Sequence, residues 1–129
     1  MPRSDPALKL KIFGVMLHTE RFEECVRFYR DSLCLPLWFE KEALVCLRFG
    51  DGYLMIETGG VARDSAKKIS ENPVMLRFNV DDVSAAADAM RKQGVLVEVK
   101  AFSWGTVGTF RDPDGNLCEF KNADDPFFS

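Results

Sequence analysis

The feature that most narrows the possible folds is an order of elements written twice, once over residues 8–57 and again over 73–121. Residues 8–18, Leu-Lys-Leu-Lys-Ile-Phe-Gly-Val-Met-Leu-His, read as a strand. Residues 20–33 read as a helix, with Phe22, Cys25, Val26, Tyr29 and Leu33 forming one apolar stripe at three- and four-residue steps. Thr19 is the expected N-cap, and Glu20, Glu23 and Glu24 sit at the positive end of the helix dipole. Pro36 forbids continuation. Residues 37–40 and 43–49 then read as strands, Gly50-Asp51-Gly52 as a tight turn and 53–57 as the returning strand. After a polar, glycine-led linker over 58–72, the order returns. Val74 to Val80 is a strand. Residues 82–93 are a helix with Asp82 as N-cap, Val83, Ala86, Ala87 and Met90 as its stripe, and Gly94 as its stop. Residues 95–100, 106–111 and 116–121 are strands, the last two joined by Asp112-Pro113-Asp114-Gly115, a strong turn signal. Met16 matches Arg77 and the Gly52 turn matches the Gly115 turn. The expected architecture is α+β, two βαβββ modules within one domain spanning 1–129.

Composition removes several classes of function. The chain has 129 residues, 47% apolar and 29% charged, which suits one globular domain. Its 20 acidic and 17 basic side chains leave a net charge of −3, so it lacks the basic field that nucleic-acid binding requires. Its start is polar and proline-broken, and the apolar run Ile12–Leu17 is too short for a signal sequence or a membrane span. The expectation is a cytoplasmic protein that engages neither membrane nor nucleic acid. The four cysteines show no C-x-x-C spacing and read as free thiols, with Cys25 and Cys118 as small buried hydrophobes. There is one histidine, His18.

Strand alternation assigns faces. Phe13, Val15, Leu17, Leu54, Ile56, Val74, Leu76, Phe78, Val80, Cys118 and Phe120 are expected to pack on the helices. Gly14, Met16, His18, Tyr53, Met55, Glu57, Met75, Arg77, Asn79, Leu117 and Glu119 then fall on the opposite face.

Three segments carry a family resemblance: Phe28-Tyr29-Arg30-Asp31-Ser32-Leu33, Val80-Asp81-Asp82-Val83, and Trp104-Gly105 followed by Phe110 to Phe120 with its D-P-D-G-N-L-x-E-F stretch. Together they resemble the vicinal oxygen chelate superfamily, which includes glyoxalase I, extradiol dioxygenases and the fosfomycin and bleomycin resistance proteins. The resemblance implies paired βαβββ modules forming a cupped mixed sheet around a small-molecule cavity, and commonly a homodimer.

Metal-using relatives place ligands in the first and last strand of each module. The resemblance puts those positions at Gly14 and Met75, and at Met55 (or Glu57) and Glu119, where only Glu119 matches. Independently, one histidine is too few for a two-His site. His18 lies about 13 Å along the strand from the implied position. A hard cation on His18, Glu57 and Glu119 is the one remaining metal arrangement, and the reading here is that no metal, cofactor or catalytic residue is present. Glu119 is instead expected to pair with Arg77. Arg77 is either solvated or an anion clamp. His18 is read as a hydrogen-bonding pocket residue. Trp104, Tyr53 and Trp38 offer flat surfaces for stacking, against a second reading as interface or core aromatics. The expected ligand-binding set is His18, Arg48, Tyr53, Glu57, Arg77, Trp104 and Glu119. The expected function is metal-independent sequestration of a flat organic or drug-like ligand. The alternatives are a glyoxalase- or dioxygenase-like enzyme with an atypical metal site, and a catalytically silent relative.

Overall fold

A computed structural model describes residues 10–123. The expected opening of the first strand at residues 8 and 9 and the ends of the expected domain lie outside the described residues. The elements are β1 (Gly14–Thr19), α1 (Phe22–Val26) running into a π-helical turn (Arg27–Ser32), β2 (Leu37–Lys41), β3 (Leu44–Phe49), β4 (Gly52–Thr58), β5 (Leu76–Val80), α2 (Val83–Arg91), β6 (Glu98–Phe102), β7 (Gly105–Arg111) and β8 (Leu117–Asn122). They form two four-stranded mixed sheets, ordered β1-β4-β3-β2 and β5-β8-β7-β6. In each sheet the first and last strands pair in parallel and the others antiparallel. A parallel pair needs a long crossover, which the helix and two intervening strands supply.

The two modules share one apolar cluster, which includes Cys25, Tyr29, Leu54 and Ile56 from the first and Phe78, Val83, Phe110 and Phe120 from the second. Ring contacts tie them together: Phe49 lies 5.1 Å from Phe78, and Phe28 lies 6.1 Å from Phe110. The π-helical turn explains how Phe28 and Tyr29, neighbours in sequence, are both buried. Widening the helix reduces the angle between successive side chains, so two adjacent rings can point inward and meet edge to face at 5.2 Å.

Several expectations shift at element ends. The first strand begins at Gly14, and Phe13, expected against the helices, is 65% exposed. The fifth strand begins at Leu76, and Val74 is 59% exposed. Alternation marks a face but does not say where a pairing partner runs out. The expected helix over 20–33 is α-helical only to Val26. Arg21, not Thr19, holds the N-cap position, while the Thr19 hydroxyl accepts the Arg21 N–H at 2.9 Å. Residues 95–97 lie outside the sixth strand. Asp82 caps α2 as expected, accepting the Ala85 N–H at 3.0 Å.

The β7–β8 turn joins the modules. Asp112 accepts the Asp114 and Asn116 N–H groups on Oδ1, each at 2.9 Å. On Oδ2 it accepts Asn116 Nδ2 at 2.9 Å and the Tyr29 hydroxyl of the other module at 2.7 Å. The linker straps over this turn: Lys67 N–H donates to the Gly115 carbonyl at 2.7 Å. Gly115 has φ +88, and a Cβ there would sit 2.7 Å from the Ser65 carbonyl oxygen, so this position requires glycine.

Beside the strap, the Asp114 carboxylate is fully buried and neither oxygen has a well-formed hydrogen bond among the described residues. Lys67 Nζ is 3.8 Å away. Burial raises the Asp114 pKa, opposed by Lys67, the Thr19 hydroxyl and Arg21. A carboxyl whose folded pKa exceeds its unfolded value stabilises the fold most when protonated, so this contribution declines as pH rises above 3.8 through the shifted value. Asp114→Asn is therefore expected to match the parent in acid and to exceed it by about 1 kcal/mol at pH 7. Urea midpoints at pH 4 and pH 7 measure the widening gap.

Candidate functional site

On the face of each sheet opposite the helices, Met16, His18, Arg48, Arg77 and Asn79 are exposed in the single chain, while Cys46, Glu119 and Lys121 are buried. On the first sheet, Gly14, Met16 and His18 of β1 stand beside Tyr53, Met55 and Glu57 of β4, and these stand beside Arg48, Cys46 and Leu44 of β3. On the second, Arg77 and Asn79 of β5 stand beside Glu119 and Lys121 of β8. Met16–Met55 and Arg77–Glu119 occupy corresponding places in the two modules.

The first face is built on an aromatic ladder. β2 bulges between Leu37 and Phe39, whose partners Leu47 and Cys46 are adjacent, so Trp38 is the extra residue. A bulge re-aims a side chain, and here the Trp38 ring meets Tyr53 at 5.9 Å and carries the Arg48 guanidinium at 3.8 Å from its centroid. Tyr53 in turn lies over Gly14: a Cβ at residue 14 would fall 2.0 Å from the Tyr53 ring. Glycine at this strand position is what admits the ring. Farther along the same face, His18 Nε2 lies 3.7 Å from Glu57 Oε2, an ion pair when the imidazole is protonated.

The second face is polar. Arg77 Nε donates to Glu119 Oε1 at 2.7 Å, and Nη2 lies 2.7 Å from the same oxygen as an ion pair. At the β6–β7 hairpin Phe102 and Trp104 stack in parallel at 4.9 Å, and Lys121 Nζ sits 4.9 Å from the Trp104 ring. A concavity of ≈ 530 Å³ at the seam of the modules is lined by Phe13, Phe49, Arg77, Phe78, Asn79 and Val80.

The expected ligand set therefore falls into two groups. Arg48 and Tyr53 form one cluster, with His18 and Glu57 farther along the same sheet. Arg77 and Glu119 form the pair foreseen on the other sheet, with Trp104 near its hairpin. Trp38 and Gly14 complete the first cluster. The close approach at Gly14 was not foreseen from the sequence, where a glycine inside an apolar strand is the available signal, and nothing local marks the bulge at Trp38.

The implied metal positions do not fit a metal. Gly14 lies under a phenol ring and Glu119 is neutralised by Arg77. Among the described residues, no three His, Cys, Asp or Glu side chains converge into a ligand group. Cys25, buried and beside Asp112 and Asp114, has its thiol pKa pushed up to about 12, chiefly by burial, and Cys118 is raised for the same reason. Neither supplies a thiolate at neutral pH.

The model of the Glyoxalase/Bleomycin resistance protein/Dioxygenase superfamily matches residues 11–120. The chain belongs to this superfamily. Within it, the chain is 33% identical over 124 residues to the uncharacterised protein YraH of Bacillus subtilis (strain 168), spanning 85% of this chain and 96% of that one. Solved superfamily folds superpose closely. Lactoylglutathione lyase from Agrobacterium tumefaciens has a TM-score of 0.69 at 19% identity, with 92% of this chain and 96% of that one covered. TnmS3, an antibiotic binding protein from Streptomyces sp., has a TM-score of 0.67 at 19% identity, with 90% and 98% covered. At this identity the two show a shared fold, and they span a lyase and a binder. No helix among the described residues is long and apolar enough to cross a membrane.

Proposed function

We propose that this superfamily member is a metal-independent binding protein that sequesters a flat organic or drug-like ligand on its open sheet faces. The observation that carries this reading is the Tyr53 ring lying in the space that a side chain at residue 14 would need. Where the resemblance implies a metal donor, this chain presents a stacking surface continued by Trp38 and Arg48. The kinship in fold with an antibiotic binding protein supports the same reading. Met16, Trp38, Phe102 and Trp104 are all at least 40% exposed in the single chain. Faces of this kind suit a homodimer in which a second copy closes the cup over the ligand. The working compartment is read as the cytoplasm.

A thermal-shift panel tests the proposal. Flat polycyclic arenes at about 100 times Kd should stabilise the fold by about 2.7 kcal/mol, and their saturated, puckered analogues should not. No shift from any arene would favour a catalytically silent relative.

The His18–Glu57 approach of 3.7 Å favours a second reading, a glyoxalase- or dioxygenase-like enzyme with an atypical metal site. That reading requires stoichiometric metal in purified protein and its loss in His18→Ala.

A further inference from the structure

The aromatic ladder also has a polarity, and it points to a ligand class. Resting on the reading of the first sheet's open face as a ligand platform, we infer that this platform takes a planar arene carboxylate. Arg48 is exposed, and its guanidinium carbon lies over the Trp38 ring, 3.8 Å from the centroid. A cation–π contact of this kind does not consume the N–H fork. Those donors engage no carboxylate or carbonyl among the described residues. Arg77 on the other open face differs, because Glu119 already occupies its fork. A guanidinium anchored over an indole, with its N–H fork unpaired among the described residues, can offer two parallel hydrogen bonds, the geometry that a carboxylate matches.

The surroundings fit the rest of such a molecule. Arg48 and Tyr53 are cross-strand partners, so a carboxylate on Arg48 places its arene beside the Tyr53 ring. The next row along the sheet is Met16, Met55 and Cys46, an apolar floor. The Met16 and Met55 thioethers suit the polarisable face of an aromatic ring, while Cys46 is fully buried and out of a ligand's reach. The Glu57 carboxylate lies four residues farther along β4, about 13 Å from Tyr53, and is set against His18, so it does not repel an anion at Arg48.

Calorimetric titration of the full chain with 2-naphthoate and 2-naphthamide tests the inference. The two probes differ in charge and share the same flat ring. Wild-type protein is expected to bind the carboxylate about 10-fold more tightly than the amide. Arg48→Gln should weaken 2-naphthoate about 10-fold more than it weakens 2-naphthamide. Arg48→Lys, which keeps the charge and loses the fork, should restore only part of the difference. The wild-type ratio of the two affinities needs no variant and stands even if the substitutions disturb the fold. Equal affinity for both probes, or an equal loss of both in Arg48→Gln, overturns the carboxylate assignment and leaves the binding function intact. If neither naphthalene binds, both the inference and the proposed function fail.

Discussion

Asp112→Ala is expected to lower stability by about 3–5 kcal/mol. Asp112 is almost fully buried and accepts four hydrogen bonds, from two backbone N–H groups, the Asn116 amide and the Tyr29 hydroxyl. Removing it strands all four donors away from water, and each buried orphan costs about 1–3 kcal/mol before relaxation. The same carboxylate joins the β7–β8 turn of the second module to the helical segment of the first, so the loss falls at the seam. Tyr29→Phe should cost about 1 kcal/mol, because it removes one donor and leaves Asp112 three others. Urea denaturation of the two single variants and the double variant gives the coupling directly.

That bond also shows what the sequence could convey and what it could not. Asp112 at the head of D-P-D-G was legible as a turn former, because Asp accepts backbone N–H groups two residues on. Its partner Tyr29 lies 83 residues away, and no local pattern announces the pairing. Arg77 and Glu119 were readable as neighbours because alternation and the module repeat fix both face and row, and the pair forms at 2.7 Å. Phe13 and Val74 were misplaced because strand ends depend on the partner strand. Trp38 is the clearest case: a one-residue bulge sets its direction, and a bulge leaves no periodicity to read. His18 and Glu57 were both placed on the open face, yet only the register puts them at the same level.

The double variant Trp38→Ala/Tyr53→Ala is expected to lose about 100-fold in affinity for flat arenes, or roughly 2.7 kcal/mol. Each ring contributes apolar area and an oriented quadrupole, and Trp38 also holds Arg48 in place. The two rings touch, so the double loss is not expected to equal the sum of the single ones. Trp38 is 41% exposed and Tyr53 half-buried, while the core lies on the opposite face of the sheet. Stability should therefore fall by less than about 1.5 kcal/mol, far less than for Asp112→Ala. Calorimetry with a flat arene, beside a urea melt of the same preparation, separates the two effects.

The proposal that an aromatic surface stands where the resemblance implies a bound metal makes ligand binding independent of any ion. Its most direct test is the affinity for one flat arene measured by calorimetry in protein dialysed against EDTA, then again after adding Ni²⁺, Zn²⁺ or Mn²⁺. The same Kd within about twofold is expected in every case if the proposed stacking surface binds without a metal. Binding that appears only after a metal is restored, with one ion held per chain, would contradict it.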